Sequence, residues 1–324
     1  MASKISWKQI RRGIKYPILV LLIRFAILII RMLPRNWVLK GTGCLGGFAF
    51  KLVKGEREKT IRNLTYIFGN EKTPQEIYQM AREVFVYQAL NFGDYIHSIN
   101  YTTREQFSQI MDIEGEEHLK KAYEEGNGVL CLMSHTGSWE FSAIMPPVMG
   151  YSTTALSRPM PNPRIDKLIV AARQKRGMKN IGRGKVYPLL IDALKRKECL
   201  IIMVDQDTQA PSVFVDFFGK SAYTPIGAAR LALDSLAPVV PVLIKRLPNN
   251  RHCLTILPRL PFVNTGNRES DLLENTKIYT KTIEDFIRPN PTQWVWMHER
   301  WKTTPEAAEL FLASKREKEK TESK

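Results

Sequence analysis

Cysteine is scarce and scattered. The four thiols, Cys44, Cys131, Cys199 and Cys253, lie far apart and form neither a CxxC pair nor a Cys/His metal spacing. A disulfide scaffold and a zinc module are thereby excluded, and the thiols read as reduced and mostly buried in a cytoplasmic environment. Acids are also in short supply, with 32 Asp and Glu against 48 Lys and Arg, a net charge of +16 over 324 residues. Residues 1–15 contribute +5 of this and residues 315–324 contribute +2, which leaves +9 on the body. A field of that sign draws nucleic acid, an anionic membrane or an acidic substrate. No stretch interleaves aromatics with bases on one face, so nucleic acid is not an expected partner. Internal repeats are missing, and neither Ser138 nor Cys131 carries a nucleophile elbow or triad signature.

An unbroken apolar run of spanning length is also absent. Residues 16–33 are the most hydrophobic stretch and follow the basic leader Lys4, Lys8, Arg11, Arg12 and Lys15, but Arg24 interrupts them. A spanning helix needs about 20 apolar residues, and an arginine near its centre costs roughly 2.5–3.5 kcal/mol. Arg24, Arg31 and Arg35 fall on one helical stripe, which fits a helix lying in the interface with its arginines reaching phosphates. Both versions, spanning and interfacial, make residues 1–40 a membrane anchor and keep the following chain cytoplasmic.

What is present is an ordinary globular composition, 44% hydrophobic and 25% charged. The spacing predicts a second short helix over 41–53 and a longer one over 75–98, opening at Thr73-Pro74 with Glu76 in its first turn. From residue 128 short apolar runs alternate with helical stretches. Gly128–Ser134, Thr153–Ser157, Glu198–Val204, Pro238–Ile244 and His252–Leu257 read as strands; 164–176, 186–197, 225–235 and 271–288 read as helices. This alternation predicts an α/β fold, a mixed, mostly parallel sheet flanked by helices, over a domain of residues 41–305. Residues 306–324 form a charged tail.

Ser134-His135-Thr136-Gly137-Ser138-Trp139-Glu140 directly follows the strand Gly128–Ser134. Ligands of α/β sheets bind at the carboxyl ends of strands, so His135 is expected at the productive edge. Glu140 enters the next helix, and a histidine beside a carboxylate serves as a general base. The alternative is a structural histidine beside an acid that favours a helix start.

This block resembles the His-x4-Asp/Glu motif of the lipid A biosynthesis acyltransferases, a glycerolipid-acyltransferase-like family with phosphatidylinositol mannoside relatives. Further blocks resemble the family's in the same order. They are Ser157-Arg158-Pro159 with Asn162-Pro163 and Asp166; Asp205-Gln206-Asp207; Phe217-Phe218-Gly219; Tyr223-Thr224-Pro225 with Gly227; and Gln293-Trp294-Val295-Trp296-Met297-His298-Glu299-Arg300-Trp301-Lys302. The anchor and Arg62-Asn63-Leu64 also fit, so the resemblance spans residues 10–305.

The resemblance implies acyl transfer from a thioester, acyl carrier protein or acyl-CoA, to a hydroxyl of a membrane glycolipid, foremost a lipid A precursor. The place implied is the cytoplasmic face of a bacterial inner membrane, without a cofactor or metal. His135 would take the hydroxyl proton while Glu140 holds the imidazole. The Gly137 region and Arg158 would receive the oxyanion, Arg158 alternatively clamping a phosphate. Asp205 and Asp207, alternating along a strand, would bond the acceptor sugar or Arg158, and Phe218 and Gly219 would shape a loop beside the reacting carbonyl. The Trp294/Trp296/Trp301 cluster reads equally as lipid contact or core. Phosphatidylinositol mannosides or an aminolipid as acceptor, and a non-catalytic lipid-binding protein, stay open as alternatives.

Overall fold

The computed structural model describes residues 25–310, apart from 158, 160, 161 and 183–185. The first half of the apolar stretch 16–33 therefore lies outside the described residues. Residues 25–32 are helical and expose Phe25, Leu28 and Met32. Pro34 then separates them from α1 (Arg35–Leu52). Among the described residues no helix is long and apolar enough to cross a membrane.

Helix α1 runs unbroken through residues 40 and 41, where the anchor was expected to end, and packs along α3 (Pro74–His97) beside α2 (Lys54–Phe68). Small residues make that crossing close. A Cβ on Gly46 would lie 2.7 Å from the Phe85 carbonyl oxygen and 2.8 Å from the Ala89 methyl. The start of α3 is fixed by a capping box, in which the Thr73 hydroxyl accepts from the Glu76 amide and the Glu76 carboxylate accepts from the Thr73 amide at 2.8 Å. Arg35 was expected to reach toward lipid phosphates. It turns inward instead and pairs with the buried Asp94 at 2.7 and 2.9 Å, where Arg246 and His252 also converge at 2.8 and 2.9 Å. Burial pushes the Asp94 carboxyl up, but these partners together hold it well below the usual carboxylate range. Four side chains distant in sequence thus seat the N-terminal helices on the sheet.

The seven-stranded sheet runs in the order β1 (Met111–Glu114), β9 (His252–Ile256), β8 (Val239–Arg246), β2 (Val129–Met133), β5 (Cys199–Met203), β3 (Thr153–Ser157), β4 (Met178–Gly182). All neighbours are parallel except β8 and β9. A separate antiparallel hairpin joins β6 (Ser212–Phe217) to β7 (Lys220–Pro225). Val129, Cys131, Met133, Cys199 and Ile201 point to one face, among the apolar residues of α4 (Arg104–Ser108), α5 (Glu116–Glu124) and α6 (Trp139–Val148). Leu130, Leu132, Leu200 and Ile202 point to the other, against α8 (Tyr187–Lys195), α9 (Gly227–Ser235) and α10 (Arg268–Ile287). Burial on both faces explains why these strands read as continuous apolar runs rather than alternating ones.

The fold class is the expected α/β one. Its less legible elements are the edge strand β1, the half-exposed β4 and the β6/β7 hairpin, whose sequences carry too little apolar alternation to announce themselves.

Candidate active site

The site follows from strand register. Met133 of β2 stands opposite Met203 of β5, so the residues two places beyond each, His135 and Asp205, leave the sheet edge side by side. The Asp205 carboxylate accepts from the His135 backbone amide at 2.6 Å and faces the ring Nδ1 at 2.8 Å. A third donor arrives from the far end of the chain, the Trp294 indole N–H at 2.9 Å. Burial pushes the Asp205 carboxyl up, but His135 and the Trp294 donor outweigh it and hold it at about 2. An ionised Asp205 requires a proton on His135 Nδ1, so in the neutral ring the lone pair stands on Nε2, on the side of Gln206.

Residues 293–295 run antiparallel to 135–137. The Gly137 amide donates to the Gln293 carbonyl at 2.9 Å, and the Val295 amide to the His135 carbonyl at 3.2 Å. This pairing delivers Trp294 beneath Asp205 and brings the His298 ring within 5.6 Å of the His135 ring, centroid to centroid. Between the two rings lies Gln206, its Nε2 3.1 Å from His135 Nε2 and 2.8 Å from His298 Nε2. Burial, with His135 adjacent, pushes the His298 imidazole down. Arg300 is fully buried and donates to the Tyr223 carbonyl at 2.8 Å, which locks the segment to β7; burial pushes its guanidinium down to about 10.

Several expected placements differ. Glu140 does not hold the imidazole. The left-handed turn at Gly137 sets α6 so that Trp139 faces the histidine ring at 5.6 Å, and the Glu140 carboxylate pairs with Arg173 of α7 (Pro163–Gln174) at 2.6 and 3.2 Å. The Gly137 amide is not open to an oxyanion, because Gln293 takes it; a Cβ there would sit 2.5 Å from the Ile244 carbonyl oxygen, so close packing explains the glycine. Both aspartates lie beyond the end of β5 rather than on it. Asp205 is buried under His135, and Asp207 lines the cleft while accepting from the Thr303 amide and hydroxyl at 2.9 Å. Phe218 is a core residue packed on Phe68 and Trp296, and Gly219, at φ +74°, completes the tight β6/β7 turn. Trp294 and Trp296 are fully buried, which resolves their reading as core. Arg158 lies outside the described residues.

A cleft of about 820 Å³ opens at this edge. His135, Glu140, Arg173, Gln206, Asp207 and Lys302 are among its polar lining, and Ala143, Ala155, Ile169, Met178, Ile201 and Met203 contribute to an apolar wall between the sheet and α6 and α7. A general base beside an apolar slot of this size suits a substrate with a reactive polar end and a hydrocarbon body. Among the described residues, no group of three or more His, Cys, Asp or Glu side chains is placed to hold a metal ion. Sequence reasoning missed Arg173, His298 and Gln206 as site members. Their distances along the chain from His135 give no local signal, although Gln206 and His298 stand inside blocks singled out by resemblance.

The family model described as bacterial lipid A biosynthesis acyltransferase matches residues 8–303. A lipid A biosynthesis acyltransferase of Haemophilus influenzae is 27% identical over 290 residues, 89% of this chain and 88% of its own. The lipid A biosynthesis lauroyltransferase of Escherichia coli is 28% identical over 274 residues, 82% and 85% of the two chains. A phosphatidylinositol mannoside acyltransferase of Mycolicibacterium smegmatis is 23% identical over 278 residues, 79% and 83%.

Proposed function

Because the chain belongs to the bacterial lipid A biosynthesis acyltransferase family and is an O-acyltransferase, we propose that it moves a fatty acyl group from acyl carrier protein or acyl-CoA to a hydroxyl of a lipid A precursor. The observation that carries this reading is the His135–Asp205 pair at the head of a cleft with one apolar wall. His135 Nε2 takes the proton of the acceptor hydroxyl as its oxygen attacks the thioester carbonyl carbon. Asp205 holds the Nδ1 proton and stabilises the imidazolium that forms. Collapse of the tetrahedral intermediate breaks the C–S bond, and the proton on Nε2 passes to the departing thiolate. No acyl-enzyme is needed. Glu140 acts through Arg173, fixing the guanidinium at the cleft wall, where its charge faces the donor or acceptor headgroup.

Enzyme action at the cytoplasmic face of an inner membrane is supported by the apolar side chains that residues 25–32 and α1 leave exposed, among them Phe25, Met32, Trp37, Leu45, Phe48 and Leu52. They sit next to a strongly basic body, a combination suited to an anionic interface. The similarity to the M. smegmatis protein favours phosphatidylinositol mannoside as the second acceptor to test.

The test is transfer of a labelled acyl group from each donor to a panel of both acceptors in detergent, read by mass spectrometry beside His135→Ala. A new acylated lipid A precursor formed only by the wild type is expected. Equal product from the variant would refute the mechanism, and product only on the mannoside would reassign the acceptor.

A further inference from the structure

The amide of Gln206 occupies the position that a nucleophile must reach. Asp205 fixes the proton of His135 on Nδ1, so His135 Nε2 is an acceptor, and only the amide nitrogen of Gln206 can stand against it at 3.1 Å. The same nitrogen lies 2.8 Å from His298 Nε2, and because an amide N–H₂ only donates, that ring nitrogen accepts as well, in the neutral form that burial favours. The two amide hydrogens are therefore divided, one to each imidazole. This arrangement leaves His135 oriented on both nitrogens, but its lone pair is covered by a group that cannot be deprotonated or attack a carbonyl.

We propose that Gln206 is a positioning residue that caps the base lone pair of His135 until the acceptor hydroxyl displaces it, and thereby keeps water from that place while a thioester is bound. The inference rests on the acyl-transfer reading for its second half only. Without the cap, a water oxygen at His135 Nε2 would give up a proton to the ring and form a bond to the thioester carbonyl carbon. The C–S bond would then break and the proton would pass to the thiolate, leaving a free fatty acid and a thiol. A polyol headgroup can replace the amide with a hydroxyl of its own, because its other contacts in the cleft offset the lost hydrogen bond; a lone water has no such contacts. His298 retains the displaced amide through its second hydrogen and returns it when product leaves.

Two variants of the full chain in detergent test this, Gln206→Ala, which opens the place to water, and Gln206→Leu, which fills it without a donor. The first readout is the 15N spectrum of the labelled histidines, with His135 assigned through His135→Gln. The His135 Nε2 resonance is expected to move toward the position of a free lone pair in both variants, while Nδ1 stays protonated. An unmoved Nε2 resonance in both would overturn the cap. The second readout is the ratio of acyl-CoA hydrolysis to acyl transfer. It is expected to rise about fivefold in Gln206→Ala, the scale of one neutral hydrogen bond, and to stay near the wild-type ratio in Gln206→Leu. An equal ratio in wild type and Gln206→Ala would overturn the exclusion of water. If the wild type neither transfers nor hydrolyses any acyl group offered, the acyl-transfer reading fails, and with it the exclusion of water, while the nitrogen spectrum still decides the cap.

Discussion

Replacing Asp205 by asparagine keeps the outline of the side chain and removes its charge. The carboxylate accepts three N–H groups, from the His135 backbone, the His135 ring and the Trp294 indole. An amide has one oxygen for these donors, and its own N–H₂ then confronts either the ring or both the backbone and indole donors. Turned toward the ring, that group would force the proton onto Nε2, the nitrogen that has to accept. A loss of roughly 1,000- to 10,000-fold in kcat/KM follows, the scale seen when the acid behind a catalytic histidine is made an amide. The same substitution changes stability in a defined pH window. Asp205 titrates at about 2 against an ordinary value of 3.8, a difference of about 2 kcal/mol in favour of the folded state. Because the folded value is the lower one, this contribution is complete above about pH 4 and disappears as pH falls through about 2. The stability gap between wild type and Asp205→Asn, measured by urea unfolding from pH 6 to pH 2, should therefore narrow by about 2 kcal/mol toward the acid end. Activity within threefold of wild type, or a gap that does not change with pH, would refute the assignment of Asp205 as the group that orients the base.

Trp294→Phe removes one donor from a buried carboxylate and should cost about 1–3 kcal/mol of stability together with a clear loss of transfer; unchanged thermal unfolding would contradict the hydrogen bond. Glu140→Gln and Arg173→Ala should each reduce transfer, with a double-mutant coupling of about 1–3 kcal/mol; simple additivity would show that the pair does not act as a unit. Ala155→Leu narrows the apolar wall of the cleft and should shift the preferred acyl chain to a shorter length in a donor competition read by mass spectrometry. Gly46→Leu forces α1 away from Phe85 and Ala89 and should destabilise the protein by about 1–3 kcal/mol or more, seen as a lowered Tm.

Much of the fold was legible because buried parallel strands and capped helices leave local signatures. The run before His135 and the Thr73/Glu76 box are both found within a few residues of their expected places. His135 was legible for the same reason, since a residue just past such a strand has to emerge at the sheet edge. Its partner was not. Glu140 is near in sequence, yet the turn at Gly137 points it at Arg173, while Asp205 comes within reach only through the pairing of β2 with β5. Asp205 was read as one of two strand residues reaching the acceptor, a reading that fails because β5 ends at Met203 and the chain has already turned under His135. The tryptophans defeated composition alone. Their chemistry suits lipid and core equally, and only the short pairing of 293–295 with 135–137 decides between them.

That pairing has a consequence for how the enzyme is made. His135 and Asp205 leave the ribosome well before Trp294 and His298, by a time on the order of ten seconds at ~5–20 residues per second. Throughout that interval the nascent sheet holds a base and its acid with no indole beneath the carboxylate and no second imidazole for Gln206. Competence for the reaction therefore arrives late, when the segment bearing Trp294 and His298 docks. A chain cut short before residue 293 would keep the strands that bear His135 and Asp205 but could not complete the site.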